Sequence, residues 1–554
     1  MKITIPSLIV LLLMTLGCSQ DKRTMDWQED IDYLTARLEI MHPNLYANIS
    51  KESFTEYATK LKQSISGSND IEMRMGVMEL VARIRNVHVF LDKDDEPREV
   101  YQYYPVKLYH FKDGLFVSSA RDKYKNIIGK EVLKIGGMTA KETMSELARF
   151  IQADNKMTTL DLMTRGFFND AQLLKYIGAC DSPNKITLKL ANHDGSDFDF
   201  EIESSSQIPN ELMRPYIVSN DSIFSLNDNS INSKPLYLKY VSNKYWFEYL
   251  PQHEAIYLQI NGLMHKKDES FDKFCQRMFY TLDQKKAKRL IIDLRFNTGG
   301  NHIELPLVKG ILSRPYLDKS DRLFLITGRT TVSAAQHLSS TLEWYTNATL
   351  FGESTSSKPN QYGAIRRFNL PNSQLAIACG VDYYQDAQPF DFSMASEPNY
   401  FVSPTSVDFR NNHDPVIEAI ITYDSYKQMR PDFTVKLSAA YTKSGLAELK
   451  KIYFAIKPDL AEKGFNFENL LYDDLDSWMY DNKKDTDDYI AYLKFVYAEL
   501  PNSLKVIYDL AYWTEVYGSK EEAKSLYKKC LELNPDHHYA KMKLGLMQLD
   551  ASVM

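Results

Sequence analysis

The chain has 554 residues, 44% apolar and 25% charged, with a formal net charge of −7. This is the profile of a multidomain globular protein rather than a disordered chain. No block of five or more basic residues occurs, and phosphate binding needs clustered Lys and Arg, so nucleic acid is not an expected partner.

Lys2 is followed by "ITIPSLIVLLLMTLGCSQ", a short charged start and an apolar run too short for a comfortable membrane span. Residues 1–18 read as a secretory signal. "TLGC" resembles the lipobox of bacterial lipoproteins, with Thr15 where that motif prefers Leu. The resemblance implies lipid on Cys18, which would tether the protein to a membrane surface without a spanning helix. The expected location is the bacterial cell envelope, periplasm or outer membrane. Cys180, Cys275, Cys379 and Cys530 are widely spaced and lack CxxC pairing. Buried free thiols are expected, rather than a disulfide framework or a zinc site.

Residues 25–95 read as an N-terminal helical domain. In "WQEDIDYLTARLEIMH", Ile31, Leu34, Leu38 and Met41 form one stripe at a spacing of three to four. "IEMRMGVMELVARIRNVHVFL" is a further helix running into a short strand. Residues 100–205 are β-rich. Asp113-Gly114 and the Asp-Gly of "NHDGSD" mark two hairpins, and "IIGKEVLKIGGMTAKETMSEL" reads as strand, Gly-Gly turn and helix. That stretch resembles the carboxylate-binding loop region of PDZ domains, with an unusually long helical insertion after it.

Residues 234–425 alternate strands and helices. "EAIYLQING", "RLIIDLRFNTGG", "RLFLITG" and "ATLFGES" are the strands, and near-continuous apolar runs among them suit strands buried on both faces. Residues 430–554 are helical. From Leu504 to His537, Leu510, Ala511, Gly518, Ala523, Tyr527, Cys530 and Pro535 fall where a tetratricopeptide repeat wants them. One or two such repeats and a closing helix are expected, packed on the core or offered to a protein partner. A plain helical bundle is the alternative.

Three stretches of the α/β segment carry candidate chemistry. "IIDLRFNTGGN" brings Asp293 and Arg295 to the C-terminal end of a strand, where ligand sites of open α/β sheets lie. Gly299 and Gly300 then offer bare backbone N–H groups. "TTVSAAQ" starts a helix at Ser333, and Ser333 to Gln336 has the form of a capping box. "GESTSSKPNQYG" contains Lys358, which serves as a base for a serine only if burial lowers its pKa. Each stretch alone has a structural reading: a turn, a helix cap, a solvated lysine.

Together the three stretches resemble the tail-specific, or C-terminal processing, serine protease family over residues 25 to 425. "DLRFNTGG" is similar to its Asn-x-Gly-Gly turn, "TTVSAAQ" to its nucleophile turn, and "GESTSSK" to the stretch with its catalytic lysine. Ser333 and Lys358 stand twenty-five residues apart, the spacing of that family. The resemblance implies an α/β multidomain protein with a ClpP/crotonase-like catalytic core behind the helical and PDZ-like domains. It implies Ser333 as nucleophile, Lys358 as base, and an oxyanion hole from the Ala334 N–H with that of Gly299 or Gly300. No metal or cofactor is implied, and the substrate is a polypeptide.

The surroundings of Lys358 depart from the family. Ser357 and Pro359 replace glycines, and Tyr362 stands where a Gln is usual. "KPNQYG" resembles a divergent lipoprotein-type branch that, like the tricorn-type relatives, has a His in the N-terminal helical region. "RNVHVFL" places His88 there, followed by Val89 where the tricorn-type enzymes have Ser. A Ser333–Lys358 dyad is the expected catalytic pair; His88 reads first as a structural histidine, with a role as the base in place of Lys358 the alternative. His302 is expected to face solvent, and Asp414-Pro415 to cap the last helix of the core. A catalytically inactive binding protein, using its cleft or its repeats, is the competing functional reading.

Overall fold

A computed structural model describes residues 21–92, 102–192, 194–389, 391, 393–462, 467–534 and 537–553. The signal segment with Cys18, and Pro535 of the C-terminal period, lie outside the described residues. The architecture is mixed α/β, with three sheets and many helices.

The central sheet has six strands. Their spatial order is Tyr400–Phe401, Thr349–Gly352, Leu323–Thr327, Arg289–Asp293, Ala255–Ile260 and Tyr245–Leu250. The first five are parallel, and Tyr245–Leu250 closes one edge antiparallel. Side chains alternate between faces along each strand. Leu258, Leu290, Ile292, Leu325 and Leu350 pack against Phe274, Met278, Leu338 and Leu342 of helices Phe271–Gln284 and Ala334–Tyr345. Tyr257, Ile291, Phe324, Ile326 and Phe351 face the other way. They pack on Val416 and Ile420 of helix Pro415–Ile421, in a cluster that continues to Leu437, Tyr453 and Tyr492 of the C-terminal helices. Both faces are thus covered, as the apolar runs require. Each fully buried large side chain contributes roughly 1.5–3 kcal/mol.

A buried charge network pins this sheet. Arg295 pairs with Asp293 at 2.9 Å and reaches both Asp414 oxygens at 3.1 Å. The Tyr257 hydroxyl donates to Asp293 at 2.6 Å. Asp414 in turn caps Pro415–Ile421, accepting the Val416 N–H at 3.1 Å. Asp293 and Arg295 are therefore occupied in holding the core together.

A second, antiparallel sheet takes strands Val106–Phe111, Gly114–Arg121, Glu131–Ile135, Lys185–Ala191 and Asp197–Glu203. Ile223–Ser225 adds to it beside Gly114–Arg121. Helices Ala140–Ala148, Lys156–Leu162 and Ala171–Tyr176 are inserted between its third and fourth main strands. The N-terminal helices Lys22–Met41, Lys51–Ser64 and Asp70–Ala82 share one apolar cluster with it.

The third sheet joins distant parts of the chain. Asn360–Asn369 and Ala376–Gln385 form a long hairpin. Phe90–Leu91 adds to it, with Phe90 opposite Ala378 and Leu91 opposite Ile377. This pairing brings His88, two residues earlier in the chain, to the core.

In the C-terminal region, helices Leu504–Tyr517 and Lys520–Leu533 pack as a pair. Leu510, Ala511, Ala523, Tyr527 and Cys530 are buried, and Gly518 ends the first helix. Cys275, Cys379 and Cys530 are buried free thiols, and Cys180 is half-buried. Among the described residues, no helix is long and apolar enough to cross a membrane.

Candidate active site

Strand Leu323–Thr327 leads through a short loop to helix Ala334–Tyr345, and Ser333 sits at the junction. Its backbone has φ 60° and ψ −125°. Non-glycine residues rarely adopt such angles, and the strain is characteristic of a serine lifted onto a strand-to-helix turn. The capping box does not form: the Ser333 side chain accepts no helical N–H. Gln336 instead donates to Ser340 Oγ at 3.0 Å and Ser396 Oγ at 2.8 Å.

The neighbouring turn is built around this serine. The Asn297 carbonyl accepts the Val332 N–H at 3.2 Å, and Asn297 Oδ1 accepts the Gly299 N–H at 2.9 Å. Gly299 and Gly300 have φ 103° and 138°. A methyl group on Gly299 would lie 2.7 Å from Ser333 Cβ, and one on Gly300 would lie 2.4 Å from the Leu263 carbonyl oxygen. Side chains are therefore excluded at both positions. Of the two expected oxyanion donors here, the Gly299 N–H is taken by Asn297. Gly300 and Ala334, but not Gly299, line the cleft.

That cleft has a volume of about 840 Å³ and is also lined by Ser333, His88, His302 and His337. His88 is 5% exposed. Its main-chain N–H donates to Asn86 Oδ1 at 2.8 Å, and its ring bonds the Tyr362 backbone. Nδ1 has no hydrogen-bond partner among the described residues. Burial, with the nearby His337 ring, pushes the His88 pKa down to about 4 against the opposing Tyr362 bond. His88 thus has one ring nitrogen held by the Tyr362 backbone and a buried Nδ1 without a partner among the described residues, in surroundings that favour the neutral ring.

Lys358 is placed otherwise. Its Nζ donates to Asn48 Oδ1 at 2.9 Å, in the N-terminal helical region. It does not appear in the lining of the cleft, although its neighbour Ser357 accepts the Ser333 N–H at 3.2 Å. The structure therefore brings Ser333, His88, Gly300 and Ala334 to one cleft and turns the Lys358 ammonium toward Asn48.

Two histidines of the cleft were not singled out as catalytic from sequence. His337, one helical turn after Ser333, is held at Nδ1 by Asp386. His302 is exposed, as expected, yet stacks on His337 with ring centroids 4.2 Å apart and pairs with Glu304 at 3.1 Å. The spacing of Ser333 and His337 on one helix was the available signal; the Asp386 contact depends on the hairpin. Among the described residues, no group of three or more His, Cys, Asp or Glu is placed to hold a metal ion.

A mainly parallel sheet with a strained serine where a strand meets a helix, beside a Gly-Gly turn and a buried histidine, defines an α/β protein. The fold matches that of a crystallised serine-to-alanine mutant of CPAF: 11% identity, 72% of this chain and 98% of that one covered, TM-score 0.51. Mature CPAF complexed with lactacystin is similar at 10% identity, covering 74% and 98% with a TM-score of 0.49. The photosystem II D1 C-terminal processing protease is similar at 11%, covering 71% and 97% with a TM-score of 0.32. The fold assignment rests on the first of these. No family model and no curated protein matches the chain.

Proposed function

We propose that this protein is an exported serine endopeptidase that hydrolyses unfolded or tail-marked polypeptides, with Ser333 as nucleophile and His88 as its base. The observation that carries this reading is the backbone of Ser333, strained at φ 60° beside a turn that only glycine can occupy. Such strain is maintained where function requires it.

The open lone pair of His88 takes the hydroxyl proton as Ser333 Oγ attacks the substrate carbonyl. Negative charge on the carbonyl oxygen is met by the Ala334 and Gly300 N–H groups. The imidazolium returns its proton to the leaving amine, and the acyl group remains on Ser333. Water then attacks the ester, His88 takes its proton, and that proton returns to Ser333 Oγ as the acid product leaves. Lys358 is the other base suggested by resemblance; its bond to Asn48 favours His88.

Lipidation of Cys18 would hold the enzyme at the cell envelope. The PDZ-like sheet would receive a substrate tail, and the C-terminal helices would receive a protein partner. The test is incubation of residues 19–554 with an unfolded polypeptide. Cleavage by the wild type and none by Ser333→Ala supports the proposal; equal cleavage by both refutes it.

A further inference from the structure

His88 and Ser333 stand on loops far apart in the chain. The segment Asp154–Thr158, inserted in the PDZ-like region, touches the loop of His88 and the loop of residues 355–358, which holds Ser333. Asp154 is 4% exposed. Its Oδ1 accepts the N–H of Val87, next to His88, at 3.2 Å. Its carboxylate also accepts the N–H of Lys358, next to the Ser357 that holds the Ser333 N–H. Asn155 Nδ2 donates to the Thr355 carbonyl at 3.0 Å, and Thr158 Oγ1 to the Ser356 carbonyl at 2.6 Å. Four consecutive residues, 355 to 358, are thus tied to this one segment or to Ser333.

Asn48 closes the frame on the outside. It accepts from Lys358 Nζ at 2.9 Å and donates to the Arg85 carbonyl at 2.9 Å. Arg85 has φ 54°, so the loop before His88 is itself strained. Lys358 also supplies the charge that opposes the desolvation of Asp154.

We infer that Asp154 is a positioning residue: a single buried carboxylate accepts main-chain N–H groups from the loop of the base and from the loop whose Ser357 holds the Ser333 N–H, and so sets the distance between base and nucleophile. Asn48 and the Lys358 ammonium brace the same two loops from the other side. This rests on the proposed roles of Ser333 and His88. Small displacements of reacting groups are costly: about 1 Å of misplacement lowers a rate by on the order of 100-fold. Burial also pushes the Asp154 carboxyl up to about 6, so its ionised form at neutral pH costs stability rather than adding to it. A residue of this kind separates rate from stability.

The test is steady-state peptide hydrolysis and thermal melting at pH 8 for the wild type, Asp154→Asn and Asn48→Ala. Asp154→Asn is expected to lower kcat between ~10- and ~100-fold, with KM little changed and the melting temperature no lower than wild type. Asn48→Ala, at a half-exposed site, is expected to lower kcat less while folding normally. An active wild type with unchanged kcat in both variants would overturn the positioning role alone. So would a fall in melting temperature that accounts for the lost rate. An inactive wild type would overturn the peptidase reading first, and this inference with it.

Discussion

The Lys358 ammonium donates to Asn48 Oδ1 at 2.9 Å, while the residue before it, Ser357, accepts the Ser333 N–H at 3.2 Å. The lysine thus follows the residue that holds the Ser333 N–H, but its side chain is directed at Asn48 in the N-terminal helical region. Lys358→Met is expected to retain measurable activity, reduced through loss of the brace. His88→Ala should lose about 10²–10⁴-fold in kcat, the usual worth of a general base. Hydrolysis rates of the two variants side by side decide between the bases. A dead Lys358→Met with an active His88→Ala would assign the role to the lysine.

The pH dependence tests His88 as the base and excludes a lysine base of ordinary pKa. A base must be neutral to accept a proton. His88, pushed down to about 4, stays neutral throughout the neutral and alkaline range. The ratio kcat/KM should therefore be level between about pH 7 and about pH 9 and fall only on the acid side. A lysine base that kept its ordinary value of about 10.4 would make activity climb across that interval, whereas one lowered by burial is told apart by the Lys358→Met and His88→Ala rates above. An initial-rate series over this range is the measurement.

Gly299→Ala places a methyl 2.7 Å from Ser333 Cβ at a backbone φ of 103°. The strain should cost about 1–3 kcal/mol of stability. The displaced Ser333 should lower kcat by on the order of 100-fold. Denaturant melts and peptide hydrolysis check the two effects separately.

Arg329 and Glu353 form a buried ion pair, with Arg329 Nε 2.8 Å from Glu353 and Nη1 2.8 Å from the His110 carbonyl. It joins the core sheet to the second, antiparallel sheet. Arg329→Met leaves a buried carboxylate without its partner and should cost about 3–5 kcal/mol. Double substitution with Glu353→Gln should recover part of that loss, measured by chemical denaturation.

The core strands were legible because residues buried on both faces must be apolar, as in "RLIIDL" and "RLFLIT". Ser333 and the two glycines were legible because a strand-to-helix turn and a close backbone approach leave few residue choices. The hairpin Asn360–Gln385 was not, since its first strand mixes Gln, Gly and Arg with apolar residues. Missing it hid how Phe90–Leu91 pairs with that hairpin and carries His88 to the cleft. Asp154 and Asp386 were invisible for the same reason: each acts on a loop far away in sequence. The Ser333–Gln336 pattern misled because a capping box and a nucleophile turn share residue types but differ in dihedral angles.

The central claim is that Ser333 is a nucleophile, and the most direct measurement is covalent labelling. Residues 19–554 treated with a fluorophosphonate should carry one adduct, located on Ser333 by peptide mass spectrometry and absent from Ser333→Ala. Labelling should slow strongly in His88→Ala. A folded wild-type protein with Ser333 unmodified, or with equal labelling of wild type and Ser333→Ala, would contradict the account.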